Sequence, residues 1–155
     1  LFHWNTLAVK RILFLCSANY YRSRFAEHWF NQLARLNRLP WTADSRGLLV
    51  GHWGDIGPIS HYTVDRLKRC GVVMESDHRD PLPLTLEDLE SSDLVVAVKE
   101  VEHRPMMAEQ FPEWVDRIEY WHIDDLDCAE PEEALPQIES HVEALIEHLT
   151  LSEAA

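Results

Sequence analysis

Hydrophobic residues recur along this chain with two alternating periods, and this alternation predicts strands separated by helices. Four short segments have the apolar, β-branched or aromatic content that favours strands: residues 12–15, 41–45, 93–98 and 117–121. Three longer segments are predicted as helices: residues 22–37, residues 100–110 and a stretch that begins at Pro131. The continuous apolar run within residues 93–98 is typical of a strand that is covered on both faces.

Capping signals predict two more helices between the second and third strands. Ser60 has the side chain of an N-cap residue, and the helix after it would bury Val64 and Leu67 and end at Gly71. Thr85 marks the start of the second of these helices in the same way. The resulting order of elements predicts an α/β fold: a three-layer α/β/α domain with a four-stranded parallel sheet and helices on both faces.

The size and composition of the chain narrow the class of protein. Its 155 residues, 46% of them hydrophobic, predict one domain over residues 1–155 with a core at about residues 11–149. A net charge of −13 argues against nucleic acid and anionic membranes as partners. The chain has no apolar stretch of about 20 residues, and residues 1–5 lack the order of a secretory signal. Three widely spaced cysteines predict neither a disulfide framework nor a zinc site, so we expect a reducing cytoplasm.

A cysteine and an arginine separated by five residues stand at the end of the first predicted strand. They are Cys16 and Arg22, and Ser23 follows directly, where the helix begins. A short loop at this place can direct several backbone N–H groups at one tetrahedral anion, while a guanidinium can bind two phosphate oxygens. The same groups favour the thiolate form of Cys16, which is the nucleophile. The pattern predicts a cysteine that attacks phosphate; the alternative is a small buried core residue.

The run C-S-A-N-Y-Y-R-S at residues 16–23 resembles the phosphate loop of the low-molecular-weight protein tyrosine phosphatases. That family shares its fold with the thioredoxin-coupled arsenate reductases. The similarity extends over about residues 11–149 and includes Trp53, His78 followed by L-T-L-E-D-L, and the strand that begins at Asp93. The resemblance implies a phosphotyrosine phosphatase I-like fold and hydrolysis of a phosphate monoester through a cysteinyl-phosphate intermediate. It implies no metal and no other cofactor.

The resemblance also implies roles for particular residues. The substrate-binding residues would be Ser17, Ala18, Asn19, Tyr20, Tyr21, Arg22, Ser23 and Trp53. A hydrogen-bond network around the loop would consist of Asn19, Ser23, Ser45 and His78. The expected substrates are a phosphorylated protein or a small aryl phosphate, with inorganic phosphate as the product.

A carboxylic acid is needed as well, because ester cleavage must protonate the leaving oxygen and hydrolysis must then activate water. The segment W-H-I-D-D-L-D at residues 121–127 occupies the place where the family has its catalytic aspartate. Asp125 matches best, and Asp124 and Asp127 are further candidates. The chain departs from the family at Leu126, where a proline is usual, and at Lys99, where an aspartate often ends the third strand.

Two other functions remain open at this stage. An arsenate reductase would use the same loop, but it needs further cysteines, and only Cys128 lies near the acid segment. A phosphatase-like protein that binds phosphate or a phosphopeptide with little turnover is the second alternative. A metal site is not predicted. Two groups of polar residues lack the spacing of metal ligands and are interpreted as solvated surface. The first group is Glu102 with His103, and the second is His122 with Asp124, Asp125 and Asp127.

Overall fold

A computed structural model describes residues 8–72, 74 and 78–154 of the chain. Residues 1–5, whose sequence lacks the order of a secretory signal, therefore lie outside the described part. Strands and helices alternate in the predicted order. The strands are β1 (Lys10–Cys16), β2 (Trp41–Gly47), β3 (Leu94–Ala97) and β4 (Glu119–Tyr120), and the helices are α1 (Arg22–Leu36), α2 (His61–Arg69), α3 (Leu86–Glu90), α4 (Glu100–Gln110) and α5 (Pro131–Ala154), with a 3₁₀ turn at Pro112–Trp114.

The four strands form one parallel sheet in the order β2-β1-β3-β4, which confirms the predicted fold class. The central strand β1 pairs on both sides, with Phe14 opposite Ser45 of β2 and opposite Val96 of β3. All carboxyl ends therefore lie at one edge of the sheet. Cys16 is the last residue of β1 and stands opposite Gly47, the last residue of β2.

Two hydrophobic cores cover the two faces of the sheet, because successive side chains of a strand point to opposite faces. Phe14 contributes to the core beneath α1, α2 and α5, where it contacts the rings of Phe30 and Trp121. Leu13 and Leu15 contribute to the second core, with Leu89 of α3 and Met107 of α4. Both cores anchor β1 firmly, and β1 in turn positions Cys16.

The predicted capping residues act as expected. The Ser60 side chain accepts the N–H of Tyr62 at 3.2 Å, and Thr85 forms a capping box with Asp88. The last strand is shorter than the predicted residues 117–121, since β4 lies at the edge of the sheet and pairs through two positions of β3 alone. Throughout residues 8–72, 74 and 78–154, no helix has both the length and the apolar content needed to cross a membrane.

Candidate active site

The loop between β1 and α1 turns several of its carbonyl groups outward. The carbonyl oxygens of Cys16 and Ser17 accept the N–H groups of Leu48 and Leu49 at 2.9 and 2.8 Å, and the carbonyl of Tyr20 accepts the N–H of Ser60 at 2.9 Å. A trans peptide unit directs its N–H opposite to its C=O. The N–H groups that follow these carbonyls therefore point to the inner side of the loop, as an anion-binding loop requires.

Gly47 at the end of β2 permits the close approach of the loop. A Cβ atom at this position would lie 2.7 Å from the Ser17 carbonyl oxygen and 2.6 Å from a methyl group of Val50. These distances are shorter than van der Waals contact, and one of the two atoms belongs to the backbone. Glycine is therefore the residue that fits between β2 and the loop that follows β1.

The Cys16 thiol lies at the base of this loop and is almost completely buried. Its Sγ lies 2.9 Å from Oγ of Ser23, and Asn19 Nδ2 donates to the same Ser23 oxygen at 2.9 Å. Because Ser23 accepts from Asn19, its own hydroxyl hydrogen is available to donate to the sulfur. The Ser23 hydroxyl is therefore placed to contact the sulfur both when it attacks and when it leaves.

Asn19 is the centre of the polar network behind the loop. It is fully buried and has a positive φ of 54°, which asparagine tolerates better than most residues. Its Nδ2 also donates to Ser45 Oγ at 2.9 Å, and its Oδ1 accepts from Arg79 Nη1 at 2.9 Å and from the Leu82 N–H at 3.0 Å. All four hydrogen-bonding positions of the amide are therefore occupied.

Arg79 takes the place in this network that we expected for His78. Its guanidinium also donates to the carbonyl of Ser45 at 2.9 Å and forms ion pairs with Glu27 and Asp44, both at 3.3 Å. His78 instead is exposed and lines a surface pocket beside α2. The structure thus corrects the prediction by one residue. The loop before α3 directs the longer arginine side chain inward, where a guanidinium can reach several acceptors at once.

Arg22 lies under the loop and is 2% exposed. Its Nη1 donates to Glu102 Oε1 at 3.2 Å and to the Ile123 carbonyl at 3.0 Å, and its Nη2 donates to Glu102 Oε2 at 2.7 Å. Asp125 Oδ2 lies 3.3 Å from the same Nη2. Burial alone would lower the pKa of Arg22, but the hydrogen bonds to Glu102 and the charges of Cys16 and Asp125 raise it above its ordinary value.

Glu102 and His103, which we interpreted as solvated surface, belong to the site. Glu102 accepts from Ser17 Oγ as well as from Arg22, and His103 is fully buried behind it. Burial would raise the pKa of Glu102, yet the hydrogen bonds from His103, Arg22 and Ser17 hold it far below its usual range. Their position in the sequence indicates this place, because both residues lie in the first turns of the helix after β3, at the same sheet edge as Cys16.

The three candidate acids differ in the residues that they face. Asp125 faces Arg22 and lines the pocket above Cys16, with 35% of its side chain exposed. Asp124 is turned to Lys99, whose Nζ lies 2.8 Å away, and Asp127 lines a neighbouring cleft. Of the three, Asp125 therefore has the place expected for a general acid.

A pocket of about 350 Å³ opens above Cys16 and Arg22. Its walls are mainly apolar or aromatic and come from Ala18, Tyr20, Tyr21, Trp53, Ile56, Asp125 and Leu126. Such a slot suits a flat ring that carries a phosphate at its inner end. The structure thus brings both loop tyrosines and Trp53 to the pocket.

The two remaining cysteines, Cys70 and Cys128, form no disulfide bond. Cys70 is half-buried at the end of α2, and Cys128 is exposed, with its Sγ 3.9 Å from Lys99 Nζ. All three cysteines are free thiols. Among the described residues, no three His, Cys, Asp or Glu side chains are grouped as ligands for a metal ion.

Comparisons with known proteins identify a matching family and similar solved structures. The family model described as "Low molecular weight phosphotyrosine protein phosphatase" matches residues 11–154. No curated protein matches the chain in sequence.

Several solved structures are similar. A low molecular weight protein tyrosine phosphatase from T. tengcongensis is 28% identical, with a TM-score of 0.72 over 94% of this chain and 99% of that chain. Wzb from Vibrio vulnificus in complex with benzylphosphonate is 20% identical, with a TM-score of 0.75 over 90% of this chain and 99% of that chain. The YwlE arginine phosphatase from Geobacillus stearothermophilus is 22% identical, with a TM-score of 0.74 over 94% and 96% of the two chains. The last two structures share the fold.

Proposed function

Because the chain belongs to the low molecular weight phosphotyrosine protein phosphatase family, we propose that Cys16, Arg22 and Asp125 perform its phosphatase reaction on aryl phosphates, phosphotyrosine above all. Membership makes the protein a cysteine-dependent phosphatase that acts on phosphorylated substrates. The assignment of residues rests on one observation. A buried thiol, 2.9 Å from the Ser23 hydroxyl, stands in the same loop as a buried guanidinium, at the floor of an aromatic pocket.

In the first step, the Cys16 thiolate attacks phosphorus from the side opposite to the ester oxygen. The S–P bond forms while the P–O bond to the leaving group breaks, and Asp125 supplies the proton that the leaving oxygen needs. The loop N–H groups and Arg22 stabilise the charge on the three equatorial oxygens. Cysteinyl-phosphate and a free alcohol or phenol are the products of this step.

In the second step, water hydrolyses the intermediate. The Asp125 carboxylate, left deprotonated by the first step, takes a proton from water as its oxygen attacks phosphorus. The S–P bond breaks, and the sulfur leaves as a thiolate that accepts the hydrogen bond from Ser23, 2.9 Å away. Inorganic phosphate is released, and neither step requires a metal or a redox partner.

We also propose that the whole reaction takes place within one domain, with its core at about residues 11–149, in a reducing cytoplasm. The loop and the sheet edge that supports it belong to the same sheet, which both cores cover. The thiol of Cys16 must stay reduced to act as a nucleophile, which such a compartment ensures.

The test is hydrolysis of para-nitrophenyl phosphate without metal, from acid to neutral pH. Cys16→Ser should lose turnover and retain phosphate binding, and Asp125→Asn should lower kcat by about 10²-fold or more. Asp124→Asn is the matched control, because its carboxylate is paired with Lys99 rather than facing Arg22, and its kcat should stay close to that of the wild type.

Three outcomes would contradict the proposal. Turnover by Cys16→Ser at the wild-type rate would exclude the covalent step, and an unchanged rate in Asp125→Asn would move the acid role to another residue. Bound phosphate without any turnover would favour a phosphate-binding protein, or an arsenate reductase if arsenate is reduced with thiol donors. One similar structure is that of an arginine phosphatase, so phosphoarginine belongs in the same assay as a competing substrate.

A further inference from the structure

We propose that Glu102 is a positioning residue that fixes the orientation of the Arg22 guanidinium for the transferring phosphoryl group. The inference rests on the proposed function, because it takes Arg22 as the residue that binds phosphate. Glu102 lies in the first turn of α4, directly after the C-terminal end of β3. A carboxylate at this place is unexpected beside a dianionic substrate, so its contacts with Arg22 need an explanation.

The contacts of Arg22 divide its guanidinium into two edges. Glu102 binds the Nη1–Nη2 edge with both carboxylate oxygens, at 3.2 and 2.7 Å, and the Ile123 carbonyl takes a further hydrogen of Nη1 at 3.0 Å. The other bidentate edge consists of Nε and the second hydrogen of Nη2. Among the described acidic residues, Asp125 approaches that edge, at 3.3 Å from Nη2. Glu102 thus occupies one edge and presents the other to an oxyanion.

Glu102 is itself held in one orientation. The backbone N–H of Lys99 donates to His103 Nδ1 at 3.1 Å, so the ring hydrogen of His103 resides on Nε2. That Nε2 lies 3.0 Å from Glu102 Oε2, which also accepts from Ser17. His103 is completely buried, and burial lowers its pKa, which keeps the ring neutral in this tautomer. The chain of contacts therefore runs from the backbone of Lys99, the residue before α4, to the phosphate-binding guanidinium.

Charge and geometry then act in opposite directions at Glu102. Its negative charge weakens the attraction of Arg22 for a phosphate dianion, so removing the charge should not weaken substrate binding. Its bidentate contact orients the guanidinium, and losing that contact should slow the chemical step. A residue that only stabilises the fold would not separate kcat from KM in this manner.

The kinetic test uses Glu102→Gln, Glu102→Asp and the control Glu100→Gln. Glu100 lies on the same helix turn, but its carboxylate pairs with exposed Arg104 at 2.8 Å. We expect Glu102→Gln to lower kcat by about tenfold or more with a KM that is unchanged or lower, while Glu100→Gln stays within about twofold of wild type. Glu102→Asp restores the charge without the reach, so its KM should return to the wild-type value while its kcat stays low. An unchanged kcat, a raised KM, or an equal loss in Glu100→Gln would overturn the proposal.

A second measurement tests the positioning role of Glu102 even if the wild type hydrolyses no phosphate ester. In the wild type, hydrogen bonds to both Nη atoms should restrict rotation of the Arg22 guanidinium, so its Nη–H resonances should be separately resolved by NMR. In Glu102→Gln these resonances should merge, and in Glu100→Gln they should remain resolved. Resolved Arg22 resonances in Glu102→Gln would overturn the positioning role, whereas absent turnover in the wild type would count against the proposed function alone.

Discussion

The sharpest stability prediction concerns Asn19, the amide at the centre of the loop network. Asn19→Ala removes four hydrogen bonds and leaves the Leu82 N–H and one Arg79 donor without this acceptor. An unsatisfied polar group costs about 1–3 kcal/mol when buried, and Ser23, Ser45 and Arg79 each keep another partner. Alanine at a positive φ costs about 1 kcal/mol more. Arg79 Nη1 retains the Asp80 carbonyl, so the Leu82 N–H is the group that loses its acceptor, and the free energy of unfolding should fall by about 2–4 kcal/mol in total.

Urea unfolding followed by circular dichroism gives this difference directly. The matched control is Asn37→Ala, since Asn37 is exposed, has a φ of −97° and donates one hydrogen bond, to the Leu33 carbonyl at 2.8 Å. Its cost should stay at about 1 kcal/mol or less. Asn19→Gly separates the two contributions, because glycine avoids the backbone cost and should be about 1 kcal/mol less destabilised than Asn19→Ala.

Two results would refute this reasoning. An equal cost for Asn19→Ala and Asn37→Ala would mean that the network contributes little to stability. A larger cost for Asn19→Gly than for Asn19→Ala would mean that the positive φ imposes no strain on alanine. A double-mutant cycle with Arg79→Met should give a coupling energy of about 0.5–3 kcal/mol, because the two side chains are in direct contact.

Two further predictions concern pH dependence and the substrate slot. Burial, together with the positive charges of Arg24 and Arg79, lowers the pKa of His28 from 6.5 to about 4. The folded state therefore resists protonation of His28, whereas the unfolded chain takes up the proton below pH 6.5. The stability associated with neutral His28 is complete above pH 6.5 and is lost as the pH falls toward 4, and the free energy of unfolding decreases by at most about 3 kcal/mol. His28→Gln should weaken the pH dependence of the free energy of unfolding between pH 6.5 and 4. If the free energy of unfolding changed with pH equally in the variant and the wild type, His28 would be excluded as the source of that dependence. Trp53→Ala should raise KM for para-nitrophenyl phosphate about three- to tenfold and leave KM for glycerol phosphate unchanged, because Trp53 lines the pocket that would hold the ring. Equal effects on the two substrates would mean that Trp53 does not contact the ring.

The parts of the protein that the sequence predicts are those governed by local patterns. The strands β1 and β3, the caps at Ser60 and Thr85, and the change of period at Arg22 depend on residues a few positions apart. The parallel sheet follows from their order, because helical connections between strands of one sheet favour a parallel arrangement. The loop that contains Cys16 could therefore be placed at the sheet edge without coordinates.

Contacts between distant segments were decided by the tertiary structure. Arg79 reaches Asn19 across 60 positions, and Glu102 reaches Arg22 across 80. Residues 78 and 79 are both polar residues in one loop, and no local pattern indicates which of them turns inward. The same holds for Asp124 and Asp125, which the pairing of Asp124 with Lys99 distinguishes. By itself, the sequence determined the layered fold and the place of the loop that contains Cys16, since short-range periodicity and chain order are sufficient for these. The groups that surround and orient the loop were decided by tertiary packing, because only the folded chain brings their charges within hydrogen-bonding distance.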